Sequence, residues 1–150
     1  MTYSDQITIK IIEYKSIEYD RSLDLRHRIL RLPLGLSLFE EDLASDADDI
    51  HIAAFANTKL LGIMLLKPLG NNTVKMRQVA IDDGYKASGI GTKLIAFAEN
   101  YCRQNNINTI TLNARETAVA FYKKNQYHVV SDVFYEVGIR HFKMKKTLFE

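Results

Sequence analysis

The 150-residue sequence predicts one α/β domain of the α+β type, with a central, mostly antiparallel mixed sheet of about seven strands flanked by about four helices. Three observations carry that prediction. Several short segments alternate apolar and polar residues and are bounded by Asn and Gly. Two longer segments place apolar residues at helical spacing. No internal repeat, low-complexity tract or linker interrupts them, so residues 1–150 are expected to form a single domain.

Ile7-Thr8-Ile9-Lys10-Ile11-Ile12 alternates before closing apolar and reads as a first strand. A helix is expected over residues 17–31, with Leu23, Arg26, His27 and Leu30 near one stripe. Pro33 and Gly35 then break the chain. Glu40, Glu41, Asp42, Asp46, Asp48 and Asp49 follow, with no Lys or Arg between Arg31 and Lys59, as a short second helix and an acidic loop. Residues 50–56, 60–68 and 73–81 read as three strands of an antiparallel meander, turning at Asn57-Thr58 and Gly70-Asn71-Asn72. Ile90, Leu94, Phe97, Ala98 and Tyr101 mark a helix over 90–104 that ends at Asn105-Asn106. A strand over 107–112, a helix over 116–124 and strands near 128–135 and 139–147 complete the chain.

Composition narrows the function. Apolar residues at 47% and charged residues at 25% are the balance of a water-soluble domain, and no apolar run reaches the roughly 18 residues of a membrane span. Met1-Thr2-Tyr3-Ser4-Asp5-Gln6 has no secretory pattern, so a cytoplasmic location is expected, with no membrane partner. Cys102 is the single cysteine, which excludes an internal disulfide and reads as a buried, inert thiol. A net charge of +2 is too weak to argue for nucleic acid, and none is expected. The charge is uneven: residues 1–74 carry 8 basic and 11 acidic side chains, and residues 75–150 carry 12 and 7.

The most informative segment is Val79-Ala80-Ile81-Asp82-Asp83-Gly84-Tyr85-Lys86-Ala87-Ser88-Gly89-Ile90-Gly91-Thr92-Lys93-Leu94, a strand running through a glycine-bearing loop into an amphipathic helix. A helix start leaves N–H groups unpaired and carries partial positive charge, so a phosphate docks there readily. Glycines at 89 and 91 allow close backbone approach, and Lys86 and Lys93 add charge. Gly84 and Gly89 have Walker A spacing, but Ile90-Gly91 stand where Lys-Ser/Thr is required. A dinucleotide fingerprint fails because position 94 is Leu.

This loop resembles the acetyl-CoA loop of the GNAT acetyltransferases, Arg/Gln-x-x-Gly-x-Gly/Ala, with Lys86, Gly89 and Gly91 in the defining places. Lys75-Met76-Arg77-Gln78-Val79-Ala80-Ile81 is similar to that family's fourth strand. The resemblance implies that Val79, Ala80 and Ile81 pair with the pantetheine arm, and that amides of Lys86, Ala87, Ser88, Gly89, Ile90, Gly91 and Thr92 hold the pyrophosphate. Two departures stand out: Lys replaces Arg or Gln, and Ala87-Ser88 replace a common Gly-Lys. Downstream, Leu112-Asn113-Ala114-Arg115 followed by Ala118-Val119-Ala120-Phe121-Tyr122 resembles the family's Ala-x-x-Phe-Tyr motif. By that resemblance Tyr122 protonates the departing thiolate, Asn113 and Phe121 line the cofactor, and Lys124 reaches the 3′-phosphate. Gln126-Tyr127 stand in place of the family's Gly-Phe. Glu136-Val137-Gly138-Ile139-Arg140-His141-Phe142-Lys143-Met144 resembles the Gly-Ile-Pro-His-x-x-Met ending of one subgroup, with Arg140 for the proline.

The expected activity is therefore acetyl transfer from acetyl-CoA, as co-substrate, to a primary amine of a small molecule or peptide. Such an amine, with a pKa of about 10, must lose a proton before it attacks the thioester. Glu41 is the first candidate base, followed by His141 and Glu136, and the acidic segment suggests a cationic acceptor such as a polyamine. Homodimers are common in folds that resemble this one, though no residue here marks an interface. A non-catalytic CoA-binding module would keep Gly89 and Gly91 without needing Tyr122. Asp46, Asp48, Asp49 and His51 do not match the calcium loop, and no Gly-x-Ser-x-Gly elbow occurs, so neither a metal site nor a serine hydrolase is expected.

Overall fold

The alternating segments pair into one sheet because their apolar residues need cover on both faces. The structure, a computed structural model, describes residues 6–150. Met1–Asp5, which open the stretch read for a secretory signal, lie outside the described residues. The strands are β1 (Ile7–Ile12), β2 (Ile50–Ala56), β3 (Lys59–Gly70), β4 (Thr73–Ile81), β5 (Thr109–Arg115), β6 (His128–Val129), β7 (Phe134–Glu136) and β8 (Ile139–Thr147). The helices are α1 (Ile17–Leu30), α2 (Ile90–Gln104) and α3 (Val119–Lys124). The sheet runs β1-β2-β3-β4-β5-β8-β6, with β7 also on β8. Every pairing is antiparallel except β4 with β5.

The period of two along β2 and β3 builds two cores. Ile52, Ala54, Met64 and Leu66 face Ile90, Leu94, Ala98 and Cys102 of α2. Ala53, Phe55, Ile63 and Leu65 face the opposite way, toward Leu25 of α1. Covered on both faces, β2 is buried from His51 to Ala56 and β3 from Leu61 to Leu66. At the hairpin between β3 and β4, Asn71 and Asn72 both take positive φ (52° and 57°), the backbone of a two-residue turn matched to strand twist.

Beyond shifts of a few residues at element ends, the structure departs from the sequence expectation in four places. The short helix after α1 resolves into three 3-10 turns, Leu32–Leu34, Leu38–Glu40 and Ala44–Asp48, because Pro33 removes a donor and Gly35 turns left-handed. β5 starts at Thr109, two residues late, since the Ile107 amide bonds back to Cys102 at the end of α2. The helix expected from 116 opens as a 3-10 turn, Glu116–Ala118, before α3. The strand expected over 128–135 is split, because the Ser131 hydroxyl takes the Lys143 amide where a strand carbonyl would.

The feature that shapes the site is a bulge in β4. Ile63 faces Ala80 and Leu65 faces Arg77, so β4 has one residue too many there, and Gln78 takes φ 56°. A bulge bends its strand. β4 pairs with β5 only over Thr73–Met76 against Thr109–Leu112, and beyond Met76 the two strands separate. Arg26 holds the bulge from α1: its Nε donates to Gln78 Oε1 at 3.0 Å, and its Nη1 donates to Asp46 Oδ2 at 2.8 Å. Asp46 also accepts from the Tyr19 hydroxyl at 2.8 Å and from Arg77 Nη1 at 3.3 Å. Arg77 in turn donates to Asp49 at 2.6 Å.

Burial alone would raise the Asp46 carboxyl, but the hydrogen bond and charge of Arg26, with Tyr19 and Arg77, outweigh it and hold the group below its ordinary value. A depressed folded pKa contributes stability that is fully present above the unfolded value of about 3.9 and is lost as pH falls toward the folded one. Asp46→Asn leaves Arg26 buried without its counter-charge. Urea unfolding at neutral pH should show a loss of about 3–5 kcal/mol, and the variant's acid sensitivity below about pH 4 should be weaker than the parent's. The Cys102 thiol is pushed up to about 11 by burial and the nearby Glu99 charge. It should therefore resist a thiol reagent at neutral pH in the folded protein and react fully in denaturant.

Candidate active site

The separation of β4 from β5 leaves two kinds of unpaired backbone beside each other. The edge of Arg77–Ile81 that would face β5 has no strand partner among the described residues. A 3-10 turn, Asp83–Ser88, then leads to Gly89, which caps α2 with φ 83° and offers no side-chain cap. The first bond of α2 runs from the Lys93 amide to the Gly89 carbonyl at 3.1 Å, so the Ile90, Gly91 and Thr92 amides point out of the helix start without a described partner. A Cβ on Gly91 would lie 3.0 Å from Phe121 Cζ, so glycine lets α2 begin hard against α3.

Between the strands lies a cavity of about 320 Å³. Its lining includes Met76 and Val79 of β4, Leu112, Asn113 and Arg115 of β5, Tyr122 of α3, Glu136 of β7 and His141 of β8. Tyr122 is buried against Phe121 (ring centroids 5.2 Å apart) and Tyr127 (6.0 Å). Its hydroxyl has no hydrogen-bond partner among the described residues, and burial pushes it up to about 12. It stays a neutral O–H donor at physiological pH. Across the cavity, His141 is 4% exposed and its Nδ1 lies 2.8 Å from the Ile139 carbonyl. A carbonyl only accepts, so Nδ1 carries a proton, and in the neutral ring the lone pair lies on Nε2. Nε2 lies 3.8 Å from Glu136, whose other oxygen accepts from Asn113 Nδ2 at 2.8 Å.

The residues expected at the site separate into groups. Val79, Ala80 and Ile81 lie on the unpaired edge, and Gly89, Ile90, Gly91 and Thr92 form the helix start. Phe121 packs on Gly91, and Asn113 and Tyr122 line the cavity. Lys86, Ala87 and Ser88 are exposed in the turn before α2, where Lys86 pairs with Asp83 at 3.0 Å and the Ser88 hydroxyl donates to the Tyr85 carbonyl. Lys124 is exposed at the end of α3. Glu41 lies outside the cavity lining and accepts from Arg31 Nε at 2.6 Å and Nη2 at 3.4 Å. Gln126 takes φ 68° at the place of the family's glycine, and the Tyr127 hydroxyl donates to buried Glu99 at 3.0 Å. Sequence reasoning passed over Arg31, Gln78 and Arg115. One signal was present: Arg26 lies on an apolar helix stripe, and a buried arginine calls for a carboxylate partner.

Residues 36–148 match the acetyltransferase (GNAT) domain family. The chain is 26% identical over 147 residues to YitI of Bacillus subtilis (strain 168), named as an uncharacterized N-acetyltransferase, covering 92% of this chain and 97% of that one. Its fold is similar to that of Escherichia coli ElaA (TM-score 0.80, 18% identity, 93% of this chain and 99% of that one). It is also similar to a Bacillus subtilis acetyltransferase solved in complex with CoA (TM-score 0.72, 16% identity, 95% and 99%). The chain belongs to the GNAT acetyltransferase family. It is an acyltransferase, and acetyl-CoA is its co-substrate.

The residues present fit an acyl-CoA: amide donors at an uncapped helix start for phosphate, an open strand edge for an amide-bearing arm, and a cavity at the end of that edge. Gly89→Ala places a side chain on a left-handed backbone. Thermal and urea unfolding should register a cost of about 1–2 kcal/mol even though open space surrounds the new methyl.

Proposed function

We propose that this chain moves an acetyl group from acetyl-CoA to a primary amine by direct attack on the thioester. Acetyl-CoA supplies the activated acyl group. The observation that carries the reading is a partnerless Tyr122 hydroxyl and a His141 ring oriented by its Nδ1 contact, lining the same cavity at the splay of β4 and β5. The amides of Ile90, Gly91 and Thr92 take the pyrophosphate, and the edge of Val79–Ile81 orders the pantetheine arm like an added strand. Lys86, Ala87 and Ser88 contribute from the preceding turn, Phe121 and Asn113 flank the arm, and Lys124 approaches the 3′-phosphate.

His141 Nε2 accepts the proton that the acceptor ammonium must lose, with Glu136 beside it to stabilise the imidazolium. Glu41 fits this role less well, because Arg31 occupies both its oxygens outside the cavity. As the amine nitrogen bonds to the carbonyl carbon and the carbon–sulfur bond breaks, Tyr122 gives its hydroxyl proton to the leaving sulfur, and the second proton that the nitrogen sheds on becoming an amide restores the Tyr122 hydroxyl. A donor pushed up to about 12 remains protonated throughout the neutral range, as this step requires.

Calorimetric titration with acetyl-CoA, beside a Gly89→Glu variant, is the direct test. Binding by the parent and its loss in the variant supports the loop assignment, and no binding by the parent sinks the acetyltransfer reading. Thiol release against an amine panel then tests catalysis. Tyr122→Phe and His141→Gln should each lower kcat by about 100-fold while acetyl-CoA binding persists. Binding without turnover of any amine would instead favour a non-catalytic CoA-binding module.

A further inference from the structure

The acidic segment does not offer its charge to the cavity. Asp46 and Asp49 are buried and bound to Arg26 and Arg77, and Glu41 is bound to Arg31. The sheet face toward the cavity has the opposite character. Lys75 on β4 pairs in register with Thr111, Asn113 with Lys143 and Arg115 with His141, so these bases rise from one face of the sheet. Among the described residues Glu136 is the single carboxylate in the cavity wall, and it already bonds Asn113.

Among the described residues Lys75, Lys143 and Arg115 have no ion-pair partner, and Arg115 is the guanidinium of the group. Among the described residues it has no carboxylate within ion-pair reach, and its bond is from Nη2 to the Leu30 carbonyl at 3.0 Å. Arg31 Nη1 donates to that same carbonyl at 3.1 Å, so two guanidinium groups share the C-terminal end of α1 while only one of them has a counter-ion. Burial, then the Arg31 charge, lowers the pKa of Arg115. A half-buried cation beside a second cation is costly unless something anionic arrives.

We infer that the acceptor carries an anionic group, received by Arg115, and that the acceptor class is a short amino acid rather than a polyamine. This rests on the acetyltransfer reading above. Arg115 and His141 are direct cross-strand partners on β5 and β8, about 5 Å apart at their Cβ atoms. Both side chains line one cavity, so a carboxylate held by the first and an amine presented to Nε2 of the second can belong to one small zwitterion. An acceptor with its amine and carboxylate close together suits two side chains that rise from paired positions of one cavity wall. A polyamine would bring further positive charge to Arg115.

The test is thiol release from acetyl-CoA with the common L-amino acids, β-alanine, the C-terminal amides of the same amino acids, and spermidine. At least one free acid should exceed its amide by about 100-fold in kcat/KM. Arg115→Gln should erase that preference mainly through KM, and Arg115→Lys should restore part of it. Amides or spermidine turned over as well as the acids would overturn the inference, as would an Arg115→Gln variant with the preference intact. A protein that binds acetyl-CoA yet acetylates none of the acids also counts against it. If acetyl-CoA does not bind at all, the acetyltransfer reading fails separately. The anion site is then judged by sulfate titration, followed at the Arg115 Nε–H NMR resonance and assigned by its loss in Arg115→Lys. A saturable shift supports the site, and no shift overturns it.

Discussion

The buried pairing of Arg26 with Asp46 is the contact on which the rest of this structure depends. A guanidinium and a carboxylate, each about 1% exposed, stay charged in the interior only because their hydrogen bonds are filled. Tyr19 and Arg77 complete Asp46, and Gln78 completes Arg26. The last of these contacts ties α1 to the one residue of β4 that departs from strand geometry. A left-handed Gln is unfavourable by itself, so the bulge persists because a buried network holds its side chain. With the bulge in place β4 bends away from β5, and the cavity follows. A polar network on one face of the sheet thus opens the edge on which the proposed co-substrate site is built.

A second polar cluster braces the far side. Glu99 of α2 accepts from the Tyr127 hydroxyl and from Lys146 Nζ, which also donates to the Asn125 carbonyl. These bonds tie α2, the end of α3 and β8 together, and burial with the Glu99 charge raises the Tyr127 hydroxyl strongly. The replacement of the family's Gly-Phe by Gln126-Tyr127 becomes intelligible here. Gln126 accepts the left-handed turn, and Tyr127 gains a buried hydroxyl that Glu99 satisfies. Tyr122, one turn earlier, receives no such partner, which leaves its proton available to a ligand.

Electrostatics divide along the sheet in a way that net charge conceals. The acidic run from Glu40 to Asp49 spends three of its carboxylates on arginines that brace the fold and the cavity rim. What remains facing the cavity is mostly basic, and in the proposed mechanism His141 takes the role expected of Glu41. A carboxylate held at 2.6 Å by arginine is a poor proton acceptor, whereas a neutral imidazole whose Nδ1 proton is claimed by a carbonyl holds its lone pair at the other nitrogen.

The sequence by itself determined the mixed α+β class, the β2–β3–β4 meander, the span of α2 and the glycine loop before it. These are local properties: period-two and helical spacing, paired asparagines at a turn, and a glycine at a helix start are each legible within a few residues. The pairing of Phe121-Tyr122 with that loop was legible too, because a motif keeps its spacing. Only the tertiary structure decided which charges were free. Arg26 meets Asp46 across 20 positions and Gln78 across 52, and Arg115 reaches the Leu30 carbonyl across 85. No pattern in the chain reports such distances. Whether a charged side chain serves the fold or faces a ligand depends on which partners it meets in space, and that is settled when the sheet closes around them.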